Sequence, residues 1–238
     1  MSTFVLIHGA WHGAWCWDRV APLLEKAGHR AVAIDLPGHG QDRTPIAQVT
    51  LQTYAGRVCD VLSAQEEPVV LVGHSMGGLA ITQAAEQAPA KVRTLVYLTA
   101  FLLRDGQSLL DVAAGDTEAL VLPNLVQSAD GSSAVVREDA LKDVFYASCP
   151  DEDVARAKSL LVPQAAAPFA TPVHTTPENW GRIPRVYIEC LRDRAISPAV
   201  QKQMHTASPC RRVISMDTDH SPFFSAPEEL AQHLASVG

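Results

Sequence analysis

The sequence lacks the marks of a membrane protein and of a nucleic-acid-binding protein. No apolar run reaches the roughly 18 residues that a membrane-spanning helix needs, and no basic leader precedes the apolar residues 4–7. Basic residues are scarce: 19 Lys and Arg stand against 26 Asp and Glu, a formal net charge of −7. Because nucleic-acid binding needs a concentrated basic face, the composition excludes that class. We expect a cytoplasmic protein with no membrane or nucleic-acid partner.

Cysteine is too sparse and too irregular to form a scaffold. The five cysteines are an odd number, and no pair has the Cys-x-x-Cys spacing of zinc sites and redox motifs. The composition therefore predicts neither a disulfide framework nor a metal site. Free thiols that pack as small apolar side chains are the expected state in a reducing compartment. They are Cys16, Cys59, Cys149, Cys190 and Cys210.

What the sequence does have is an alternation of short apolar runs and helical patterns. With 238 residues, 47% of them hydrophobic, the chain is long enough for one domain with a sizeable core. The alternation predicts an α/β fold with a mainly parallel, doubly wound sheet of about six strands. Runs typical of strands buried on both faces cover residues 4–7, 31–34, 69–72, 95–98, 186–188 and 213–216. Helical patterns cover residues 15–27, 51–64, 79–88, 199–206 and 227–236.

One stretch, residues 104–182, departs from this rhythm. It has no clear strand, four prolines between residues 163 and 177, and short helical patterns at 140–147 and 152–161. Because a structureless loop of that length is implausible within a domain, we predict an inserted helical cap. The core then consists of residues 1–103 and 183–238, and the cap of residues 104–182.

The strongest chemical signal is a Gly-x-Ser-x-Gly motif, Gly73-His74-Ser75-Met76-Gly77. An apolar strand precedes it and a helical pattern follows, which is the setting of a nucleophilic serine on a sharp strand-to-helix turn. Glycines on both sides of the serine relieve the crowding in such a turn, because they carry no Cβ atom. The motif predicts Ser75 as a nucleophile.

A nucleophilic serine needs a base, and the base needs an acid that orients it. Among nine histidines, His220 is the best candidate, since it follows the last predicted strand at the carboxyl edge of the sheet. Asp193 follows the preceding strand at the same edge. The chain order of nucleophile, acid and base, here Ser75, Asp193 and His220, is the order in which α/β folds with a serine on such a turn carry these three residues. Asp217, Asp219 and Asp105 remain rivals of Asp193 for the role of the acid.

The loop after the first strand, His8-Gly9-Ala10-Trp11, is the candidate oxyanion-binding loop. A tetrahedral intermediate needs two donors for its negative oxygen. We expect these donors to be the backbone amides of Ala10 and Met76. His8 is expected to brace the loop, and Trp11 could reach the rim of the pocket.

These residues together resemble the plant methylesterase and hydroxynitrile lyase branch of the α/β-hydrolases. The resemblance implies the α/β-hydrolase fold with the predicted triad, and it covers nearly the whole chain. Two positions depart from the lyases, which carry a Thr where this chain has Gly9 and a Lys where it has Ser221. Those departures favour ester hydrolysis over lyase chemistry. The matching segments are residues 4–15, 22–24, 27–29, 71–78, 149–153, 159–162, 185–193 and 219–220.

The sequence therefore predicts a serine hydrolase that cleaves a small, largely apolar carboxylic ester through an acyl-enzyme. No metal or organic cofactor is required, and a homodimer is possible. Hydrolysis of an amide, carbamate or lactone by the same triad stays open, as do a hydroxynitrile lyase and a non-catalytic ligand receptor. The cap residues expected to line an apolar pocket are Leu122, Leu125, Phe145, Leu160 and Phe169, together with Trp11.

Overall fold

A computed structural model describes all residues, 1–238, and it has a wholly parallel six-stranded sheet at its centre. The strand order is β2-β1-β3-β4-β8-β9. The chain turns from one half of the sheet to the other between β1 and β3, where the carboxyl ends of neighbouring strands open a crevice. The nine strands of the protein are β1 Thr3–Ile7, β2 Arg30–Ile34, β3 Val69–His74, β4 Val92–Leu98, β5 Leu125–Gln127, β6 Ser133–Val136, β7 Gln164–Ala165, β8 Arg185–Cys190 and β9 Arg212–Met216.

Helices cover the sheet, and every residue of the central strand β3 is buried. Helix α1 packs on α10, and α2 packs on α3. None of the helices combines the length and the apolar character that a membrane crossing requires. The helices are α1 Val20–Lys26, α2 Leu51–Ser63, α3 Gly77–Gln87, α4 Leu109–Ala113, α5 Leu141–Phe145, α6 Asp151–Leu160, α7 Ala167–Ala170, α8 Pro198–Ala207, α9 Pro222–Ser225 and α10 Pro227–Ala235.

The six predicted core strands are confirmed, but the single helix expected over residues 15–27 is wrong. The structure has a 3₁₀ turn, Ala14–Trp17, followed by the separate helix α1. Pro22 explains the break. It has no N–H to donate four residues back, and its ring would clash with the carbonyl there, so it fits only in the first turn of a helix.

The cap is not purely helical, contrary to the expectation for residues 104–182. Besides α4 to α7 it contains an antiparallel three-stranded sheet, β5-β6-β7. These strands are two to four residues long, too short to produce a readable alternation of apolar and polar residues. Trp11 links the core to this sheet: its indole N–H donates to the Ala134 carbonyl of β6 at 2.8 Å. The boundaries predicted between core and cap stay a prediction.

Candidate active site

Ser75 lies on the sharp turn between β3 and α3, in the left-handed region of backbone conformation at φ 54°. The turn is close-packed. A Cβ on Gly77 would lie 2.7 Å from the His8 carbonyl oxygen, and one on Gly73 would lie 2.8 Å from the Gly77 carbonyl oxygen. Only glycine fits at these two positions, as the motif predicted. The turn leaves Ser75 in the wall of a cavity beneath the cap.

His220 and Asp193 meet at the carboxyl edge of the sheet. Asp193 follows β8, His220 follows β9, and His220 Nδ1 lies 2.7 Å from Asp193 Oδ2. Both side chains are almost completely buried. Because a carboxylate oxygen accepts, Nδ1 carries a proton, and in the neutral imidazole Nε2 is then the acceptor. This is the tautomer that a general base needs.

Asp193 is itself held by groups of the core. The Ala195 and Ile196 amides donate to Oδ1 at 2.6 and 3.0 Å, and the Thr99 hydroxyl donates to Oδ2. These donors replace the hydrogen bonds to water that the Asp193 carboxylate loses on burial, and they hold the carboxylate in one orientation.

The three rival carboxylates face other partners. Asp217 is exposed beside Arg192, and Asp105 accepts from the Thr175 amide at the surface. Asp219 accepts from the Ser148 amide at 2.7 Å and the Ser225 hydroxyl at 2.8 Å, and thereby ties the cap to the loop that carries His220. Of the four candidates, the structure brings Asp193 to the His220 ring.

The backbone amides of Ala10 and Met76 meet the requirement for anion-binding donors. Both residues line the cavity beside Ser75, and neither amide donates to another group of the protein. Buried amides are rarely left unpaired, so two free ones at one place indicate a site for a ligand oxygen.

A buried pair, His12 and Tyr146, supports this loop, and the sequence did not reveal it. The Tyr146 hydroxyl donates to His12 Nε2 at 2.7 Å, and His12 Nδ1 donates to the Ala10 carbonyl at 2.7 Å. Burial lowers the pKa of His12 to about 3, so the ring is neutral near pH 7 and keeps this tautomer. The partners are 134 residues apart in sequence, and only the fold joins them.

Two more neutral histidines pack around the site. His8 donates from Nδ1 to the Gly9 carbonyl at 2.8 Å and accepts the Leu36 amide at Nε2, which braces the loop as predicted. His74 donates from Nε2 to the His220 carbonyl at 2.8 Å. Burial, and then the neighbouring histidines, lower the pKa of both rings well below the usual value.

The cavity over Ser75 is apolar. Five of the six predicted wall residues line it: Trp11, Leu122, Leu125, Phe145 and Phe169. Leu160 does not line it. This residue lies half-buried at the last position of α6, away from the cavity wall. Sequence analysis did not predict six wall residues that precede Leu122, because no periodic pattern marks this segment as facing a ligand. They are Leu109, Leu110, Ala113, Asp116, Ala119 and Val121.

The fold and these contacts define an α/β-hydrolase. The sequence matches the alpha/beta hydrolase family over residues 4–233, and the chain belongs to that family.

Similar proteins include a pyrethroid hydrolase of Sphingobium wenxiniae, which is 35% identical over 99% of this chain and 87% of its own length. Methylesterase 2 of Arabidopsis thaliana is 34% identical over 98% of this chain and 95% of its own. A solved pyrethroid hydrolase structure from Sphingobium faniae superposes with a TM-score of 0.89 at 34% identity, covering 99% of this chain and 96% of that one. The chain spans 63% of a longer chloroplastic relative. The relatives identify this chain as a hydrolase of the esterase type.

Proposed function

We propose that the protein hydrolyses a small, largely apolar carboxylic ester, with Ser75 as nucleophile, His220 as general base and Asp193 as the acid that orients His220. The observation that carries the proposal is the 2.7 Å contact between His220 Nδ1 and Asp193, which fixes the basic tautomer at the sheet edge where Ser75 lies. A serine on a strained turn beside two free amides completes the machinery for acyl transfer.

In the proposed reaction, His220 Nε2 accepts the Ser75 proton as the serine oxygen attacks the ester carbonyl. The amides of Ala10 and Met76 donate to the resulting oxyanion. The His220 imidazolium, stabilised by Asp193, then protonates the departing alcohol. Water enters, gives a proton to His220 and attacks the acyl-enzyme. His220 then returns this proton to the departing Ser75 oxygen, which releases the acid and restores both side chains.

The substrate class follows from the cavity and from the relatives. Aromatic and aliphatic side chains form nearly the whole wall, so an apolar acyl or alcohol group gains free energy by leaving water there. The named relatives are methylesterases and a pyrethroid hydrolase, and their names point to methyl esters and pyrethroids as their substrates. We propose a carboxylic ester of the same kind.

Lyase chemistry has little support at the two positions that differ from the lyases. A Cβ on Gly9 would lie 2.8 Å from the Ser75 Cβ and 2.9 Å from His74 Nδ1, so the space for a threonine is already filled. Ser221 is completely buried, and its hydroxyl carries no positive charge that could stabilise a leaving anion.

Two further proposals concern the state of the protein in the cell. A cytoplasmic location is supported by five cysteines that are all free thiols. A homodimer is supported by the exposed valines Val126 and Val135, which form a cross-strand pair on the cap sheet. Sedimentation velocity of the wild type and of a Val126→Lys variant tests the dimer: dissociation in the variant is expected, and a monomeric wild type contradicts it.

The esterase proposal is tested by hydrolysis of a panel of methyl and p-nitrophenyl esters by the wild type and by Ser75→Ala. We expect turnover that falls by about 10⁴-fold or more in the variant. Ser132→Ala is the matched control, because this exposed hydroxyl lies on the cap hairpin outside the cavity. Turnover that survives in Ser75→Ala would contradict the assignment of the nucleophile.

A further inference from the structure

Asp116 is the one charged residue in the wall of the cavity. Of the 18 residues that line the cavity, all are hydrophobic except Ser75 and Asp116. Asp116 follows α4 in the cap, and only 9% of its surface is exposed. A carboxylate in such surroundings is costly unless it is paired, so its presence in an otherwise apolar wall calls for a partner.

The protein supplies a partner for only one of the two carboxylate oxygens. The Ser197 amide, at the start of α8, donates to Asp116 Oδ2 at 2.8 Å. The other oxygen, Oδ1, accepts no hydrogen bond, and no Lys, Arg or His pairs with this carboxylate. An asparagine would accept the hydrogen bond from the Ser197 amide equally well. This contact therefore does not explain why the residue carries a negative charge and a second carboxylate oxygen.

We propose that Asp116 is a specificity-determining residue, whose free oxygen accepts a hydrogen bond from an ammonium or hydroxyl group on the part of the ester remote from the scissile carbonyl. The preferred substrate is then amphiphilic: apolar along most of its length, with one donor group that reaches Asp116. This inference rests on the proposed esterase function, since it describes the substrate of the same cavity.

Asp116 also lies against the loop that carries the acid of the triad. The amides of Ala195 and Ile196 donate to Asp193, and the next amide along the chain, that of Ser197, donates to Asp116. A purely structural Asp116 would therefore act on turnover through this loop. Such a role would change the hydrolysis of every ester alike, whereas recognition of a donor group changes only the preference among esters.

The experiment uses methyl esters of 4-ethyl-, 4-hydroxymethyl- and 4-aminomethylphenylacetic acid, which are closely matched in shape. The corresponding benzoic and phenylpropanoic esters vary the distance between the ester carbonyl and the donor group. For wild type we expect kcat/KM to be about tenfold or more higher for a donor-bearing ester than for its ethyl counterpart. A higher kcat/KM for the aminomethyl ester identifies the preferred donor as a cation, and a higher kcat/KM for the hydroxymethyl ester identifies it as a neutral hydroxyl.

Asp116→Asn keeps an acceptor for Ser197 but turns an amide N–H₂ toward the cavity. We expect the preference for the donor-bearing ester to fall about tenfold or more, and kcat/KM for the ethyl ester to rise because the uncompensated charge is gone. Glu118→Gln is the matched control: it removes one negative charge two residues away, on an exposed side chain, and should leave the preference as in wild type. An equal loss for all three esters in Asp116→Asn, or no preference in wild type, would overturn the inference.

Binding separates this inference from the esterase proposal, because it needs no turnover. Calorimetry of the same esters with Ser75→Ala should show tighter binding of the donor-bearing ester, and the difference should disappear in Ser75→Ala/Asp116→Asn. If wild type hydrolyses the ethyl ester but Ser75→Ala binds all three esters with the same affinity, the esterase proposal is supported and the proposed role of Asp116 is wrong. If no ester is hydrolysed but the binding preference depends on Asp116, recognition of the donor group by Asp116 is supported and the esterase proposal is wrong.

Discussion

The edge of the sheet and the cavity beneath the cap are built in different ways. At the sheet edge the polar side chains are buried and held by the protein itself, as Asp193 is by two amides and a hydroxyl. In the cavity the wall is apolar, and its one carboxylate is half-satisfied. We infer that the sheet edge is arranged for the reaction before a substrate arrives. The proposed selection of the substrate falls to the cavity, through its apolar wall and the unpaired oxygen of its carboxylate.

The largest effect is expected where a carboxylate orients the base. Asp193→Asn places an N–H₂ group opposite His220 Nδ1 and favours the tautomer that has its proton on Nε2. We expect kcat to fall by roughly 10⁴-fold with little change in KM. Asp217→Asn, at an exposed carboxylate that follows the next strand, should keep nearly full activity. The assignment of the acid would be wrong if the two variants lost similar amounts of activity in steady-state assays.

A smaller loss is expected from filling the space beside the nucleophile. Gly9→Ala brings a Cβ within 3 Å of Ser75 and His74, so the loop that carries the Ala10 amide must shift. Loss of one well-placed oxyanion donor costs about 10²-fold in kcat. Gly56→Ala is the control, since nothing lies within 4 Å of the added Cβ in α2; it should leave kcat unchanged and stabilise the fold by about 0.5–1 kcal/mol. A Gly9→Ala enzyme with wild-type kcat would contradict the assigned oxyanion site.

Acid should weaken the support of the oxyanion-binding loop. The pKa of His12 is about 3 in the folded protein, below its ordinary value of 6.5, so the unfolded chain binds the proton more tightly. His12 thus contributes its full stability above about pH 6.5 and loses it progressively as the pH falls toward 3. We expect the urea midpoint of wild type to drop more between pH 7 and pH 4 than that of His12→Leu. Equal drops in the two proteins would argue against a neutral, buried His12.

The smallest effect is expected at the contact between core and cap. Trp11→Phe leaves the Ala134 carbonyl without its indole donor, which should lower the free energy of unfolding by about 1–2 kcal/mol. Trp15→Phe is matched to it, because the Trp15 indole N–H has no partner to lose. Urea denaturation compares the two variants. A larger loss in Trp15→Phe would show that the Trp11 hydrogen bond does not fasten the cap.

The sequence predicted the core better than the cap because the two carry different local signals. Each parallel core strand is a continuous apolar run, and the glycines around Ser75 mark a turn that only they can form. The cap strands are too short to show a pattern, so β5, β6 and β7 were missed. Leu160 was placed in the pocket for its residue type alone, which does not show the direction in which a side chain points.

Contacts between distant segments were also beyond the reach of the sequence. The chain of hydrogen bonds from Tyr146 through His12 to the Ala10 carbonyl joins the cap to the first loop of the core. Asp116 meets Ser197 across 81 residues of sequence. Neither pair has a spacing that a local motif could encode, since such contacts arise only when the cap folds over the sheet edge.

The central claim, that Ser75 is the nucleophile, is tested most directly by covalent labelling. Wild-type protein treated with a fluorophosphonate should gain the mass of one phosphonyl group, and peptide mapping should place that group on Ser75. Because the His220 ring accepts the serine proton in the proposed reaction, labelling should be much slower in His220→Ala and absent in Ser75→Ala. A label on another residue, or a folded wild-type protein that stays unlabelled while it hydrolyses esters, would contradict the account.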